Sequence, residues 1–430
     1  MLKKFKSLTN KIVPNKDQKK DSSKYLVGLD IGTEFVKALI AKISGQKIEI
    51  IGVGKCHQQL TDMQAGAIAD IAGVVSNCDE ALNQAEQQAG ISARSAIIGI
   101  AGELVKGTTT TIRCSRKNAT KALDSEEFDQ IIALVQERAE LKARNQLEWE
   151  LGGKSIEIKL VNSAIVNIDI DGYMVTNPIG FQGKEILIQL YTAFAPLIHI
   201  GALEKTAQEL DLDLLAVAAE PFAVARSIIG DDPNANTSAI LMDIGGGTTD
   251  IAVINDGGVQ GTQMFGIGGR AFTKSIEREL DISFASAEKL KLALSSNSVP
   301  EKYKKGVVNA ITQTTDVWQG GVELALAEFD KLDHLPNSVL LCGGGASLDL
   351  IVDRLEESDW YKELPFTKKP QIHYIHPTDV SGIIDSTGEV NDHTFITAMG
   401  LLRVGMDTIY QQGSNQPSSI KDKIDKVLRK

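Results

Sequence analysis

The chain has 430 residues, enough for two to four domains or for one large fold built from subdomains. Hydrophobic residues make up 43% and charged residues 23%, which excludes a wholly disordered chain. No apolar run approaches the ~20 residues that span a bilayer, and we expect no signal peptide, because no apolar core follows the first lysines. The four cysteines lack a CxxC spacing, which disfavours disulfide frameworks and zinc sites and favours a reducing cytoplasm.

Charge is distributed unevenly along the chain. The net charge of −11 argues against nucleic acid as the main partner. Residues 1–24 carry a net +6 and residues 412–430 a net +3, so the body between them carries −20. Basic ends on an acidic body suggest that the ends contact an anionic surface.

Both ends have amphipathic patterns. Residues 1–13 place Leu2, Phe5, Leu8, Ile12 and Val13 on one arc of a helix, and Ile420, Ile424, Val427 and Leu428 share a face among basic residues. Each pattern predicts a short basic helix that lies on an anionic membrane. The alternative is a frayed, solvated terminus, because short isolated helices are marginal in water.

The body alternates strand and helix patterns. In chain order, strands are predicted at 25–31 and 36–43, helices at 72–90, 125–144 and 200–212, strands at 237–244 and 249–256, a helix at 321–332 and a strand at 338–341. This alternation is typical of an α/β protein.

One strand–turn–strand unit occurs twice. YLVGLDIGTEFVKALIAKI and AILMDIGGGTTDIAVINDG share an apolar strand, Asp-Ile-Gly, a small polar turn and a second apolar strand. Their aspartates, Asp30 and Asp243, are 213 residues apart. The repeat predicts two similar halves that face each other across a cleft.

The turns of this repeat suit phosphate binding. Consecutive glycines permit unusual φ angles and close approach of the backbone, so their N–H groups can converge on phosphate oxygens. The aspartate before each turn can hold magnesium through its water shell. The alternative for either copy alone is a glycine-rich hairpin turn.

A third glycine run, Gly343–Gly345, follows the strand at 338–341 and precedes a helix predicted from about Leu348. Backbone N–H groups at a helix N-terminus suit the sugar or phosphate of a nucleotide. The alternative is an ordinary strand–helix turn.

Together these motifs resemble those of the actin/Hsp70/hexokinase ATPase superfamily. The two Asp-Ile-Gly turns resemble its phosphate motifs, and the glycine run resembles its adenosine motif. Residues 219–225 and 395–401 resemble its two connecting segments, and residues 286–291 resemble its adenosine-holding segment. The resemblance implies an actin-like (ribonuclease H-like) ATPase fold with two duplicated lobes.

Within the superfamily, the middle of the chain resembles the division protein family FtsA. Residues 97–175 resemble its inserted 1C subdomain, and NPIGFQG at 177–183 and GIGG at 266–269 also resemble FtsA. The similarity covers roughly residues 25–411. The related pilus family PilM shares the hairpins and the insertion.

The resemblance also implies a division of the chain. The expected parts are a basic N-terminal segment (1–24), subdomain 1A (25–96, 177–219 and 394–411), the inserted 1C (97–176), subdomain 2A (220–268 and 335–393), subdomain 2B (269–334) and a linker with an amphipathic tail (412–430).

Site residues follow from the resemblance, position by position. The expected nucleotide-binding residues are Gly32, Thr33, Glu34, Gly245, Gly246, Gly247, Thr248 and Thr249 at the phosphates, Glu288 and Lys291 at the ribose and adenine, and Gly343, Gly344, Gly345 and Ser347 beneath the adenosine. Asp30 and Asp243 would hold Mg²⁺ through water. The alternative for Glu288 and Lys291 is an exposed ion pair on a helix.

Two of the expected site residues, Glu220 and Glu34, are carboxylates outside the Asp-Ile-Gly motifs. Glu220 is placed by the resemblance where a residue can orient the attacking water, and its alternative is a carboxylate stabilised at a helix N-terminus. Glu34 departs from the family, which often has threonine there. A carboxylate at this turn would repel phosphates unless it faces magnesium or solvent.

The resemblance implies an ATP- and Mg²⁺-binding protein that is at most a slow ATPase, with ATP acting as a conformational and polymerisation switch. Such a protein would polymerise on the cytoplasmic face of the cell membrane at the division site. It would bind the C-terminal peptide of FtsZ near residues 270–330 and recruit later division proteins. The alternatives are a PilM-like platform protein of a type IV pilus or secretion system and a sugar-type kinase, which would need an acidic base in a substrate pocket.

The membrane expectation can be tested by vesicle flotation. Deletion of residues 1–13 or of residues 418–430 should reduce binding to anionic vesicles, because each deletion removes an apolar face and its surrounding positive charge. Vesicles of neutral lipid are the control. If neither deletion reduces binding, the terminal helices are not membrane anchors.

Overall fold

A computed structural model describes residues 24–230, 236–296 and 298–413. The helices expected at 1–13 and 418–430 lie outside these residues. Within the described part of the chain, no helix is long and apolar enough to cross a membrane.

The strands are β1 (Tyr25–Ile31), β2 (Phe35–Ser44), β3 (Lys47–His57), β4 (Met63–Gln64), β5 (Ala67–Ile68), β6 (Ser95–Ile100), β7 (Lys106–Ser115), β8 (Ile158–Ile170), β9 (Tyr173–Met174), β10 (Glu185–Pro196), β11 (Asp213–Ala219), β12 (Ala239–Ile244), β13 (Thr249–Asn255), β14 (Gly258–Phe265), β15 (Ser338–Cys342), β16 (Gln371–Tyr374) and β17 (Ile383–Asp385). The α-helices are α1 (Ile71–Ala89), α2 (Ser125–Glu150), α3 (Leu197–Glu209), α4 (Glu220–Ile229), α5 (Gly269–Leu280), α6 (Phe284–Ser295), α7 (Glu301–Ala327), α8 (Asp349–Glu357) and α9 (Ile396–Gly413).

Two sheets have the same internal topology, as the sequence repeat predicts. The first has the strand order β11-β6-β1-β2-β3-β17, and the second contains β16-β15-β12-β13-β14. In each, three consecutive strands pair antiparallel. Two later strands, β6 and β11 in the first sheet and β15 and β16 in the second, are added in parallel beside the first of the three. The chain therefore has two duplicated α/β lobes.

The inserted segment extends the second sheet. Strand β7 pairs with β14 at Thr108↔Gly261 and Gly107↔Thr262, and β10, β8 and β9 follow outward. A Cβ at Gly107 would lie 2.0 Å from Thr262 Oγ1, so this junction requires glycine. The expected boundary at 97 falls inside β6, which belongs to the first sheet, and the boundary at 176 separates β10 from its partners β7 and β8.

Separate apolar cores support the lobes and the insert. The first surrounds the first sheet and its helices and extends to one face of the second sheet, at Leu241 and Ile254. A second lies between the second sheet and α5, α7 and α8, and a third lies between α2 and the insert strands. Helix α1 packs closely on β3, and Gly54 makes this possible. A Cβ at Gly54 would lie only 1.8 Å from the carbonyl oxygen of Ala81.

Most predicted elements are confirmed, and one helix differs markedly. The helix predicted at 321–332 is the last part of α7, which begins at Glu301 after Pro300 and ends at Ala327. Its buried residues include Val307, Ile311 and Trp318 at helical spacing. Polar residues between them made the earlier turns less apparent in the sequence.

Candidate functional site: a cleft between two strand turns

The two repeated turns meet between the lobes. The β1–β2 turn contains Thr33, and the β12–β13 turn contains Gly246 and Gly247. A Cβ at Gly247 would lie 2.6 Å from Thr33 Oγ1, and one at Gly246 would lie 3.0 Å from Glu34 Cβ. The second turn therefore needs glycine, because the first turn occupies the space of a side chain.

The third glycine run adjoins both turns. Gly343 has a φ of +84°, and a Cβ there would lie 2.1 Å from Asp243 Oδ1. The helix expected directly after the run is preceded by a 3₁₀ turn, Gly344–Ser347. The predicted residues that line the common cleft are Asp30, Gly32, Thr33, Glu34, Glu220, Asp243, Gly245, Gly246, Thr248, Gly343 and Gly344.

Backbone donors at the turns are of two kinds. The N–H groups of Gly32 and Gly245 donate within their own turns, to Phe35 O at 3.1 Å and Thr248 O at 2.9 Å. These two N–H groups therefore already have protein acceptors, and contact of Gly32 and Gly245 with phosphate stays a prediction. Among the described residues, the N–H groups of Thr33, Gly246 and Gly247 donate to no protein acceptor.

Several predicted residues lie beside the cleft and have protein partners. Thr249 is buried: its hydroxyl accepts a bond from Trp318 Nε1 at 2.9 Å and donates to Ile267 O at 2.8 Å. Ser347 Oγ lies 3.1 Å from His393 Nε2. Gly345 packs against the backbone and side chain of Ile244.

The pair Glu288 and Lys291 joins two helices. Lys291 Nζ forms an ion pair with Glu288 at 2.8 Å and donates to Gly269 O at 3.1 Å and Thr273 Oγ1 at 2.9 Å. Lys291 is buried, so this is not the exposed pair of the alternative interpretation. Contact of this pair with ribose and adenine stays a prediction.

The repeat places a charged residue opposite each aspartate. Lys37 pairs with Asp30 across the first hairpin, and Asp250 pairs with Asp243 across the second. Lys37 Nζ donates to Asp30 Oδ2 at 2.9 Å. Sequence reasoning assigned no role to Lys37 or Asp250, although each follows its aspartate by seven residues and could have been found from hairpin register.

Two further groups were also missed. Lys55 lies opposite Lys37 on β3, lines the cleft and holds its Nζ 4.2 Å from the centre of the Phe35 ring. Thr397, from the second connecting segment, donates a hydrogen bond to Asp243. Neither could be placed without knowing how β3 and α9 pack.

Four carboxylates gather at the base of the cleft: Asp30, Glu220, Asp243 and Asp250. Burial, followed by repulsion from the neighbouring carboxylates, raises the pKa of Glu220 well above its usual value. Burial and then Asp243 raise the pKa of Asp250 in the same way. Burial also lowers the pKa of Lys37, but the carboxylates, led by Asp30, outweigh burial and raise it.

This cluster fits a hydrated dication. Oδ1 of Asp250 is buried without a hydrogen-bond partner among the described residues, and the cluster holds more negative charge than Lys37 can neutralise. In the described ranges, no three acidic, His or Cys side chains are close enough to hold a metal directly. Mg²⁺ that keeps its waters needs fewer protein ligands.

Glu220 is the first residue of α4 and has Pro221 after it. It is buried against β6, since a Cβ at Gly99 would lie 2.7 Å from Glu220 Oε1. The carboxylate thus lies both at a helix N-terminus and at the cleft, and the two interpretations from sequence are compatible.

Glu34 lines the cleft, but its carboxylate is paired. Oε2 lies 2.8 Å from Arg270 Nε, and Oε1 lies 2.7 Å from His57 Nε2. Both carboxylate oxygens of Glu34 thus have protein partners, and contact of Glu34 with nucleotide stays a prediction. Repulsion of a phosphate is reduced because a cation neutralises the carboxylate.

The duplicated lobes and the cleft define an actin-like fold. Among solved structures, the PilM–PilN type IV pilus biogenesis complex aligns with a TM-score of 0.62 at 15% sequence identity, covering 89% of this chain and 98% of that chain. At this identity the alignment supports the fold alone.

Sequence comparisons find similarity to one family. The family model described as "Cell division protein FtsA" matches residues 240–400. FtsA of Enterococcus faecalis is 26% identical over 352 residues, covering 77% of this chain and 76% of the relative. FtsA of Pseudomonas aeruginosa is 24% identical over 411 residues, covering 90% of each. The predicted resemblance to the FtsA family is confirmed: the chain is similar to FtsA proteins over most of its length.

The buried carboxylates predict a pH-dependent stability. An acid whose pKa is raised on folding contributes stability below its unfolded pKa, about 4, and loses it as pH rises through the folded pKa. Without ligand, Asp250→Asn should therefore raise Tm at pH 8, by at least about 2 °C, and the gain should shrink toward pH 4. Thermal unfolding across this pH range is the measurement.

The exposed Asp330 provides a matched control. Asp330→Asn should leave Tm close to the wild-type value at each pH, because substitutions of exposed side chains usually change stability little. Equal pH profiles for wild type and Asp250→Asn would show that the buried carboxylate does not destabilise the folded protein.

Proposed function

We propose that this chain binds ATP with Mg²⁺ between its two turns and works as an FtsA-type, actin-like division protein. The observation that carries the proposal is the meeting of two duplicated turns beside a buried carboxylate cluster. The N–H groups of Thr33, Gly246 and Gly247 at these turns have no acceptor among the described residues. Such donors suit phosphate oxygens, and the carboxylates suit the accompanying cation.

Each part of the cleft has a proposed task. Asp30 and Asp243 would hold the water shell of Mg²⁺, which would supply positive charge to the phosphates. Lys37 and Lys55, neighbours across β2 and β3, would neutralise further phosphate charge. The glycine run from Gly343 would support the adenosine.

Hydrolysis is proposed to be slow. Glu220 is the acidic group best placed to orient water, and phosphoryl transfer otherwise depends mainly on positioning and charge neutralisation. ATP would then act as a switch that sets the lobe arrangement and self-association.

The division role is supported by the family relationship and by the charge pattern. We propose that the chain polymerises on the cytoplasmic face of the cell membrane at the division site, anchored through its basic ends. There it would bind the C-terminal peptide of FtsZ, near residues 270–330, and recruit later division proteins. The subdomain division belongs to the same proposal, with β6 assigned to subdomain 1A and β10 to subdomain 1C, as the strand pairing requires.

A second candidate is a PilM-like platform protein, favoured by the extent of the structural alignment with the PilM–PilN complex. Co-sedimentation with FtsZ filaments separates the two proposals. The chain should pellet with full-length FtsZ and stay in the supernatant with FtsZ that lacks its C-terminal peptide. Equal behaviour with both forms would remove the FtsZ assignment.

Nucleotide binding is tested by changing Lys37. Lys37→Gln should weaken binding of a fluorescent ATP analogue with Mg²⁺ at least about tenfold, since it removes a cation and leaves the buried Asp30 without its ion pair. Fluorescence titration gives the Kd values.

Lys106→Gln is the matched control. Lys106 is as buried as Lys37, with 14% against 13% of its side chain exposed, and pairs with Glu150 at 2.8 Å in the inserted segment. It should leave Kd unchanged. If the wild-type protein binds no analogue at saturating concentration, the proposed function is wrong.

A further inference from the structure

One arginine contacts both turns of the cleft. Arg270 is the second residue of α5, in the second lobe, and was not predicted as a site residue. It is only 9% exposed. We propose that Arg270, with Glu34 as its acceptor, is a positioning residue that fixes the two phosphate turns relative to each other. This inference rests on the proposed nucleotide function.

The backbone of Arg270 belongs to the second turn. Its N–H donates to Gly246 O at 2.8 Å, and the N–H of Gly269 donates to Gly245 O at 2.9 Å. Gly268 allows this approach, because a Cβ there would lie 2.6 Å from Gly245 O. The start of α5 is thus hydrogen-bonded to the turn that contains Gly246 and Gly247.

The side chain of Arg270 belongs to the first lobe. Nη2 donates to Thr33 O at 2.7 Å, and Nε donates to Glu34 Oε2 at 2.8 Å. Nη1 makes longer contacts with Leu60 O at 3.4 Å and Met63 O at 3.5 Å. All four acceptors lie in the first lobe, so a single residue connects the two turns.

This arrangement explains why a carboxylate can stand at the phosphate turn. Both oxygens of Glu34 are engaged, one by Arg270 and one by His57. Charge-assisted hydrogen bonds are stronger and shorter than neutral ones, and the planar guanidinium can bond several acceptors in fixed directions. Glu34 therefore acts through Arg270 on turn geometry.

The Glu34→Gln variant distinguishes a positioning role of Glu34 from a purely repulsive effect of its charge on the phosphates. If Glu34 only repelled phosphates, its neutralisation would tighten nucleotide binding. If it positions the turns through Arg270, its neutralisation weakens binding. We expect Glu34→Gln, which removes the charge from its bond with Arg270, and Arg270→Gln, which removes the guanidinium, each to raise the Kd for the ATP analogue with Mg²⁺ at least about tenfold.

The double variant provides an internal check. Arg270→Gln leaves Glu34 charged next to the phosphates, whereas the double variant removes that charge as well. The double variant should therefore bind more tightly than Arg270→Gln alone, and the two single effects should not add.

Arg116 and Glu127 form the matched control pair. This pair lies in the inserted segment, with Arg116 Nε 2.8 Å from Glu127 Oε1 and an arginine that is also buried. Arg116→Gln and Glu127→Gln should lower Tm without changing Kd. Unchanged or tighter binding in Glu34→Gln would overturn the proposal while leaving the proposed function intact.

A second measurement does not need nucleotide. Amide hydrogen exchange of the full chain should show faster exchange at both turns, residues 32–35 and 245–248, in Glu34→Gln, and no change there in Glu127→Gln. This readout remains available if Arg270→Gln does not fold. Faster exchange at one turn only would overturn the proposal, whereas failure of the wild-type protein to bind nucleotide would overturn the proposed function.

Discussion

The contact between the two glycine-containing turns determines where the charged groups of the cleft lie. Each turn ends a hairpin whose first strand delivers an aspartate, so bringing Gly246 and Gly247 against Thr33 also brings Asp30 and Asp243 into one buried place. Close packing therefore carries an electrostatic cost. The contacts made by Lys37 and Thr397 partly offset it.

The remaining repulsion connects stability with ligand binding. A folded state that holds Glu220 and Asp250 with raised pKa values is destabilised near neutral pH when nothing positive is bound. A ligand that brings a dication relieves this repulsion only in the folded protein and stabilises it by mass action. The same groups that weaken the empty cleft thus favour its occupied form.

The inserted segment follows the first lobe in the chain, but its strand β7 pairs with the sheet of the second lobe. Strand β7 follows β6 of the first sheet but pairs with β14 of the second, where Thr109 Oγ1 donates to Val259 O at 2.7 Å and Glu103 Oε1 accepts from Gly266 N at 2.6 Å. A change in lobe arrangement would therefore strain this junction as well as the cleft. The insert is thus joined to the first lobe by the chain and to the second lobe by hydrogen bonds.

The sequence by itself determined the duplicated hairpins and the glycines at their turns, because strand alternation and turn chemistry are local. It also carried the family resemblance, since the motifs occur in order along the chain. The partner of Glu34 is visible only in the folded protein. Arg270 lies 236 residues away, and its side chain reaches the first lobe only because α5 packs against the β12–β13 turn. Similarly, Lys55 and Thr397 enter the cleft through the packing of β3 and α9. Such pairings depend on contacts distant in sequence, which no local pattern encodes.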